Sequence, residues 1–213
     1  MKPTKDPKQI LSPAQRLRKI IDEGYEIFCQ QVAGGVISLE NEASMQLFLS
    51  NILLQLGQVN EFAKDEHFSI RLEAVQKDAG TEKSPKNARA DIWIEFEKDS
   101  ETVASAAIEL KCFLHKKNAA VTDARYSVYK DLQNLEKYQE THPGLLICEI
   151  VYTRNTNLLA DKGLKFSIAD GTIESCAVEE NSSYKSIDLR HSYPVEWDMY
   201  VGDNCFVKIF PDK

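Results

Sequence analysis

Two stretches of the sequence decide the fold: RADIWI at residues 89–94 and AAIELKCF at residues 106–113. In an extended strand, successive side chains point to opposite faces of the sheet. Each stretch therefore has an apolar face and a charged face. The apolar set is Ile92, Ile94, Phe96, Ile108, Leu110 and Cys112. If these residues enter one core, we expect Asp91, Glu109 and Lys111 to meet on the other side of the sheet.

The charged set suits metal-assisted chemistry on phosphate. Carboxylate oxygens are hard ligands of Mg²⁺, which keeps several waters and reaches out to phosphate. The bound metal polarises the phosphoryl oxygen and lowers the pKa of a water nucleophile. A lysine beside it can orient or deprotonate that water and offset negative charge in the transition state. Asp91 and Glu109 are therefore candidate metal ligands, and Lys111 is a candidate catalytic residue.

A simpler interpretation of the same residues stays open. E-x-K is a short motif, and Glu and Lys on an exposed strand are usually a solvated face or a cross-strand pair. Here the pair interrupts an apolar run, and a second carboxylate heads the preceding strand. Burial of Glu109 and Lys111 beside Asp91 would separate the two interpretations.

Helices are predicted before and after these strands. Ser12-Pro13 reads as an N-cap followed by Pro at the first helical position, and this helix runs to about Val32. A second helix opens at Ser38 or Asn41 and runs to about Leu56, where Gly57 closes it. A third helix is predicted over residues 123–140.

Further strands complete the pattern. Residues 67–75 alternate, with Phe68, Ile70, Leu72 and Ala74 on one face. The apolar run at residues 145–152 predicts a strand that is buried on both faces. Shorter strands are predicted at residues 164–168, 172–178 and 206–210. We interpret residues 1–12 as a tail and residues 13–213 as a single domain.

The stretch 89–135 resembles the PD-(D/E)XK nuclease superfamily, whose fold occurs in many restriction endonucleases and DNA-repair nucleases. The residues that carry the resemblance are Asp91, then ELK at residues 109–111, then YKDLQNL at residues 129–135. The likeness covers about the central half of the chain, and Ala90 stands where the family often has Pro. It implies an α/β, restriction-endonuclease-like fold: a mixed central sheet flanked by helices, with an αβββαβ core and a decorated C-terminal third.

The resemblance also implies supporting residues. The family often carries an acid on the helix before the sheet, where Glu42 is the candidate and Glu40 the second choice. A first-turn Glu favoured by the helix dipole is the alternative for Glu42. Lys130 and Gln133 would approach the phosphate or the attacking water, although Lys130 can equally be a surface lysine. A basic cluster surrounds them and can contact a phosphate backbone. Its members are Lys111, His115, Lys116, Lys117, Arg125 and Lys130.

Composition limits the classes of function. The net charge of −7 over 213 residues argues against a protein that coats nucleic acid, but it permits an enzyme with one local basic patch. No apolar run approaches the ~20 residues of a membrane span, and residues 1–12 lack the apolar segment of a secretion signal. The five widely spaced cysteines are interpreted as small core residues in a reducing cytosol. A cytoplasmic location is therefore expected.

Together these features predict a Mg²⁺-dependent phosphodiester hydrolase, with Mn²⁺ as a substitute metal. Its substrate would be nucleic acid, DNA rather than RNA, in restriction, phage defence or repair, and a homodimer is compatible with this activity. The first alternative is a catalytically inactive module of the same fold that binds nucleic acid or protein. The second is an unrelated α/β protein in which E-x-K is a surface pair.

Overall fold

The computed structural model describes residues 11–76, 88–114, 121–160, 166–178 and 184–212. Within these ranges three α-helices form: α1 (Pro13–Ala33), α2 (Glu42–Val59) and α3 (Val121–Thr141). The strands are β1 (Glu66–Gln76), β2 (Ala88–Lys98), β3 (Glu101–Phe113), β4 (Leu146–Thr153), β5 (Gly171–Ile173), β6 (Cys176–Val178), β7 (Ile187–Leu189), β8 (Tyr193–Val195), β9 (Asp198–Tyr200) and β10 (Asn204–Ile209).

A mixed six-stranded sheet forms the centre of the protein, in the order β1-β2-β3-β4-β10-β9. β1, β2 and β3 form an antiparallel meander, and α3 then carries the chain across to β4, which pairs with β3 in parallel. β10 adds to the other edge of β4 in antiparallel orientation. The predicted α/β class, with a mixed central sheet flanked by helices, is confirmed.

Each face of the sheet carries its own apolar core. α1 and α2 cover one face, where Ile92, Ile94, Ile108 and Leu110 are buried as their alternation predicts. α3 and segments from the C-terminal third cover the other face. β4 contributes to both cores, so the prediction that this strand is buried on both faces is confirmed. By the same alternation, Asp91, Glu109 and Lys111 lie on the face of the sheet that α3 covers.

The two N-terminal helices begin where the sequence indicates. Ser12 caps α1, and its side chain and that of Gln15 form a reciprocal capping box. For α2 the cap is Asn41, whose side chain accepts a hydrogen bond from the backbone N–H of Ser44. Of the two predicted openings, Ser38 and Asn41, the second is therefore the one observed.

Gly57 does not end α2, and that part of the prediction is wrong. The helix continues to Val59, and Gly57 lies buried within its last turns. A Cβ atom at this position would collide with the ring of Phe68 on β1. The glycine is therefore required by the close approach of strand and helix and does not act as a C-cap.

The predicted alternation of β1 fails beyond Ile70. Phe68 and Ile70 enter the core under α1 and α2, but Leu72 is 44% exposed and Ala74 joins the opposite core. Glu73 lies between them with a φ of 50°, in the left-handed region. This conformation interrupts the alternation of side chains along the strand.

The C-terminal third departs most from the predicted strands. Of the strand predicted at residues 164–168, the described part, residues 166–168, is not a strand, and Phe166 has a φ of 63°. Residues 164 and 165 lie outside the described ranges. Residues 172–178 form two strands with different partners, since β5 pairs with β8 and β6 pairs with β7. The predicted strand at 206–210 corresponds to β10. Strands as short as three residues leave too little periodicity in the sequence to be predicted.

Two expectations from composition can be compared with the structure. All five cysteines are free; Cys29, Cys148 and Cys205 are buried as predicted, whereas Cys112 and Cys176 are only partly buried. Among the described residues, no helix combines the length and apolar character that crossing a membrane requires. The division into a tail and a single domain stays a prediction, because residues 1–10 lie outside the described ranges.

Candidate active site

The site forms where β2 separates from β3. The paired register between the two strands runs from Lys98 and Glu101 to Ile92 and Ile108. Beyond that point the carboxylate of Asp91 contacts β3, and its Oδ2 accepts the backbone N–H of Leu110 at 2.7 Å. The carbonyl of Asp91 accepts from Gln46 Nε2 on α2, also at 2.7 Å. Asp91 is therefore fixed through its side chain and through its backbone.

Glu109 lies beside Asp91 and is 5% exposed. Tyr138 on α3 donates its hydroxyl to Glu109 Oε1 at 3.2 Å. Burial, followed by the charges of Asp131 and Asp91, raises the pKa of Glu109 well above its ordinary value. Burial also raises the pKa of Asp91, although the Leu110 amide opposes the shift.

Lys111 is the ammonium of the site. Its Nζ forms an ion pair with Asp131, lies 3.7 Å from Glu42 Oε2 and donates to the carbonyl of Leu110 at 3.1 Å. Burial opposes the charge on Lys111, but Asp131 and Glu42 outweigh it and raise its pKa. Lys111 therefore stays protonated near neutral pH. Of its predicted roles, orienting water and offsetting charge fit this state, whereas deprotonating water does not.

Two acidic residues of the site were missed in the sequence. Asp131 lies on α3, two helical turns before Tyr138, so both side chains project from the same face of the helix. Glu149 on β4 is the register partner of Glu109 on β3. A signal was present for Glu149, because it is the single charge in the apolar run LLICEIV at residues 145–151. The sequence does not show that Glu149 lies next to Glu109, because this depends on which strands pair and in what register.

Glu149 is fully buried, and neither of its carboxyl oxygens has a hydrogen-bond partner. Burial, and then the charge of Asp131, raises its pKa well above the ordinary value. Glu42, the first residue of α2, lies at the opposite, more open end of the site, with 45% of its side chain exposed. Its pKa is raised by burial and lowered in part by Lys111. Glu40, the second choice, is exposed.

The residues predicted to contact nucleic acid differ in where the structure places them. Arg125 is 1% exposed and donates to the carbonyls of Asn157, Leu158 and Ala160, so its placement on an accessible basic surface is wrong. The loop after β4 packs over α3, and its carbonyl groups bind the guanidinium group of Arg125. Gln133 faces β7, where its amide donates to the carbonyl of Asp188 at 3.4 Å. Lys130 is exposed. His115, Lys116 and Lys117 lie outside the described residues.

Among the described residues, five carboxyl groups thus surround the ammonium of Lys111, and we refer to these carboxyl groups as the acidic cluster. Its members are Glu42, Asp91, Glu109, Asp131 and Glu149. Oxygen donors with excess negative charge suit a hard divalent cation. In the described part of the chain, no three acidic, His or Cys side chains are arranged to hold one metal ion together. Mg²⁺ is usually bound by one or two carboxylates and several waters, so the pair Asp91 and Glu109 fits it.

Comparisons with protein-family models, with curated proteins and with solved structures gave no match. The geometry and charge of the acidic cluster, with Lys111, are therefore the basis on which a function can be proposed.

Proposed function

We propose that this protein is a Mg²⁺-dependent phosphodiester hydrolase of the PD-(D/E)XK type, and that it cleaves DNA as an endonuclease. One observation carries the proposal. Asp91, Glu109 and Lys111 come from two adjacent strands and meet on one face, where they are largely shielded from water. A surface E-x-K pair would be solvated, so the burial of Glu109 argues against that simpler interpretation.

The order of elements supports the same proposal. An α-helix, three antiparallel strands, a crossover helix and a parallel strand follow one another in the chain. This is the αβββαβ order that the resemblance implies for a restriction-endonuclease-like fold. The candidate residues lie at the point where the paired register of the second and third strands ends.

The roles follow from the contacts. Asp91 and Glu109 would hold the cation, and Glu42 would support the site from the start of α2. A bound Mg²⁺ or Mn²⁺ would supply polarisation of a phosphoryl oxygen and a water of lowered pKa. Lys111 is kept protonated and oriented by Asp131, so its charge can attract the scissile phosphate and stabilise negative charge that develops there.

The test is incubation with supercoiled plasmid, linear duplex DNA and RNA, with Mg²⁺, Mn²⁺ or EDTA. We expect nicked or linear DNA in the presence of metal, and no product with EDTA or with Asp91→Asn or Glu109→Gln. Glu95→Gln is the matched control, since Glu95 is a buried acid of β2 that bonds to Arg71 and Trp93. This variant should cleave like the wild type.

Three results would contradict the proposal. Cleavage that persists in EDTA would show that the reaction does not require a divalent cation. Cleavage that persists in Asp91→Asn would show that Asp91 is not part of the active site. Binding of DNA with no cleavage under any of the metal conditions would favour the alternative, a catalytically inactive module of the same fold.

A further inference from the structure

Glu149 lies beside Glu109, one of the two residues proposed to hold the cation. β3 and β4 are parallel neighbours, and Glu109 and Glu149 are partners in their register. Adjacent strands lie about 4.8 Å apart, and partners in register point to the same face. The neighbours of Glu149 two residues away, Ile147 and Val151, enter the core under α3, so Glu149 also points to that face.

In the described part of the chain, the other buried glutamates have hydrogen-bond or ion-pair partners, and Glu149 does not. Glu136 accepts the backbone N–H groups of Arg190 and His191 together with the hydroxyl of Tyr193. Glu66 is paired with Arg16. Glu149 is equally buried, yet both of its oxygens lack a hydrogen-bond partner. Buried carboxylates are normally paired or coordinate metals, so this exception indicates a ligand that the protein chain does not provide.

Lys111 is not that ligand. Its ammonium is engaged by Asp131, by Glu42 and by the carbonyl of Leu110. Within the described residues, the largest of the other charges that act on Glu149 are those of Asp131, Glu109 and Asp91, and these are negative. An anion would be repelled from this position, whereas a hydrated divalent cation would be attracted.

We propose that Glu149 is the third carboxylate of the divalent cation site formed by Asp91 and Glu109, and that it acts by accepting hydrogen bonds from metal-bound water. This inference rests on the cation site of the proposed function. Water mediates the contact because the acidic cluster does not bring three carboxylates onto one ion in its present arrangement. Mg²⁺ and Mn²⁺ sites commonly retain such waters, and their outer partners contribute to affinity.

The experiment measures binding of Mn²⁺ alone to the full chain, by electron paramagnetic resonance of free Mn²⁺ and by calorimetry, with no nucleic acid present. We expect wild type and Glu95→Gln to bind with the same affinity. Glu149→Gln should bind Mn²⁺ about tenfold to 100-fold more weakly, as is typical when an outer partner of a metal site is lost. Glu149→Leu, which removes both acceptors from an apolar strand, provides a second variant, and circular dichroism checks that each protein is folded.

The outcomes separate this inference from the proposed function. An affinity within twofold of wild type in both Glu149 variants would overturn the role of Glu149 and leave the nuclease proposal standing. Weakened Mn²⁺ binding in these variants, together with a wild type that cleaves no nucleic acid, would support the cation site and refute the nuclease. A wild type that binds no Mn²⁺ would overturn the inference itself.

Discussion

At the scale of single residues, the unpartnered carboxyl group of Glu149 should make stability depend on pH. Burial raises its pKa well above 4.5 in the folded protein, whereas the unfolded chain has the ordinary value. Above about pH 4.5 the folded state therefore retains a proton that the unfolded state releases, and stability falls as pH rises toward the folded pKa. We predict a fall of about 1.4 kcal/mol per pH unit for each retained proton.

Urea unfolding in EDTA at pH 5, 6.5 and 8 measures this dependence. The free energy of unfolding of the wild type should decrease across the series, and that of Glu149→Gln should decrease less steeply because one titrating group is gone. Glu109 keeps its own raised pKa in both proteins, so some dependence on pH remains. Parallel curves for the two proteins would show that Glu149 is not the titrating group.

The ion pair of Lys111 and Asp131 leads to a second prediction at this scale. Their side chains are 16% and 13% exposed, so removal of one partner leaves a largely buried charge. We expect Lys111→Met to destabilise the protein by about 3 kcal/mol, the lower end for a broken buried pair. Asp131→Asn in the same chain should restore part of that loss, because it removes the uncompensated carboxylate.

A double-mutant cycle from urea unfolding at pH 7 measures the coupling between the two residues. The matched pair Arg18 and Asp22 lies on the surface of α1, with side chains 46% and 39% exposed. The corresponding cycle there should give less than about 1 kcal/mol. Additive effects of Lys111→Met and Asp131→Asn would contradict the assigned pairing.

Part of the site could be predicted from single residues and part could not. Asp91, Glu109 and Lys111 follow from the alternation of two strands, which is a local property. Asp131 and Glu149 enter the site through the face of α3 and the register of β4, and both are set by tertiary packing. Arg125 shows the reverse error. An arginine in a polar stretch of sequence is expected to be exposed, but the backbone carbonyl groups of residues 157–160 cover Arg125.

At the scale of elements, two helix glycines should respond differently to alanine. Both positions gain about 1 kcal/mol of helix propensity from the substitution. At Gly24 the new methyl group meets a terminal methyl group of the buried Leu53 side chain at 2.7 Å, and a small rotation of that flexible side chain relieves the contact. At Gly57 it meets the ring of Phe68, which is 1% exposed and held in the core.

We therefore predict that Gly24→Ala changes stability by less than about 1 kcal/mol, while Gly57→Ala destabilises the protein by about 1–3 kcal/mol through overpacking. Thermal or urea unfolding of the two variants provides the comparison, and Gly24→Ala serves as the matched control. If Gly57→Ala were as stable as wild type, α2 and β1 would not be in the close contact described here.

The longer elements could be predicted, and the short ones could not. α1, α2, α3 and the strands β1 to β4 each have at least eight residues, so their apolar periodicity is visible in the sequence. The strands β5 to β9 have three residues each and are defined by their partners. Glu73 is a separate case, because its left-handed backbone conformation breaks a strand pattern that the residue types alone support.

At the scale of the whole molecule, net charge limits how nucleic acid can be bound. The chain carries −7 overall, and the burial of Arg125 withdraws one cation from the predicted basic patch. Lys130 is exposed, and Lys116 and Lys117 adjoin the end of β3 in sequence. We predict that only a few phosphates are neutralised, so a plot of log affinity against log salt should have a slope of roughly −2 to −3.

Fluorescence anisotropy with a labelled DNA duplex, in EDTA to prevent cleavage, measures this slope between 50 and 200 mM salt. Lys116→Ala with Lys117→Ala should weaken binding and make the slope shallower by about 1 to 2. A slope much steeper than predicted would reveal a larger basic surface. Unchanged affinity in the double variant would remove these two lysines from the interface.

The place of β10 in the sheet has a consequence for synthesis of the chain on the ribosome. β1 to β4 and α3 are complete once Thr153 has emerged, but β4 receives its second neighbour only when residues 205–209 follow. Until then a strand that is apolar on both faces remains an open edge, and such edges recruit strands from other molecules. A nascent chain paused in this interval, or one terminated before Asn204, should therefore depend on chaperones and accumulate in insoluble form.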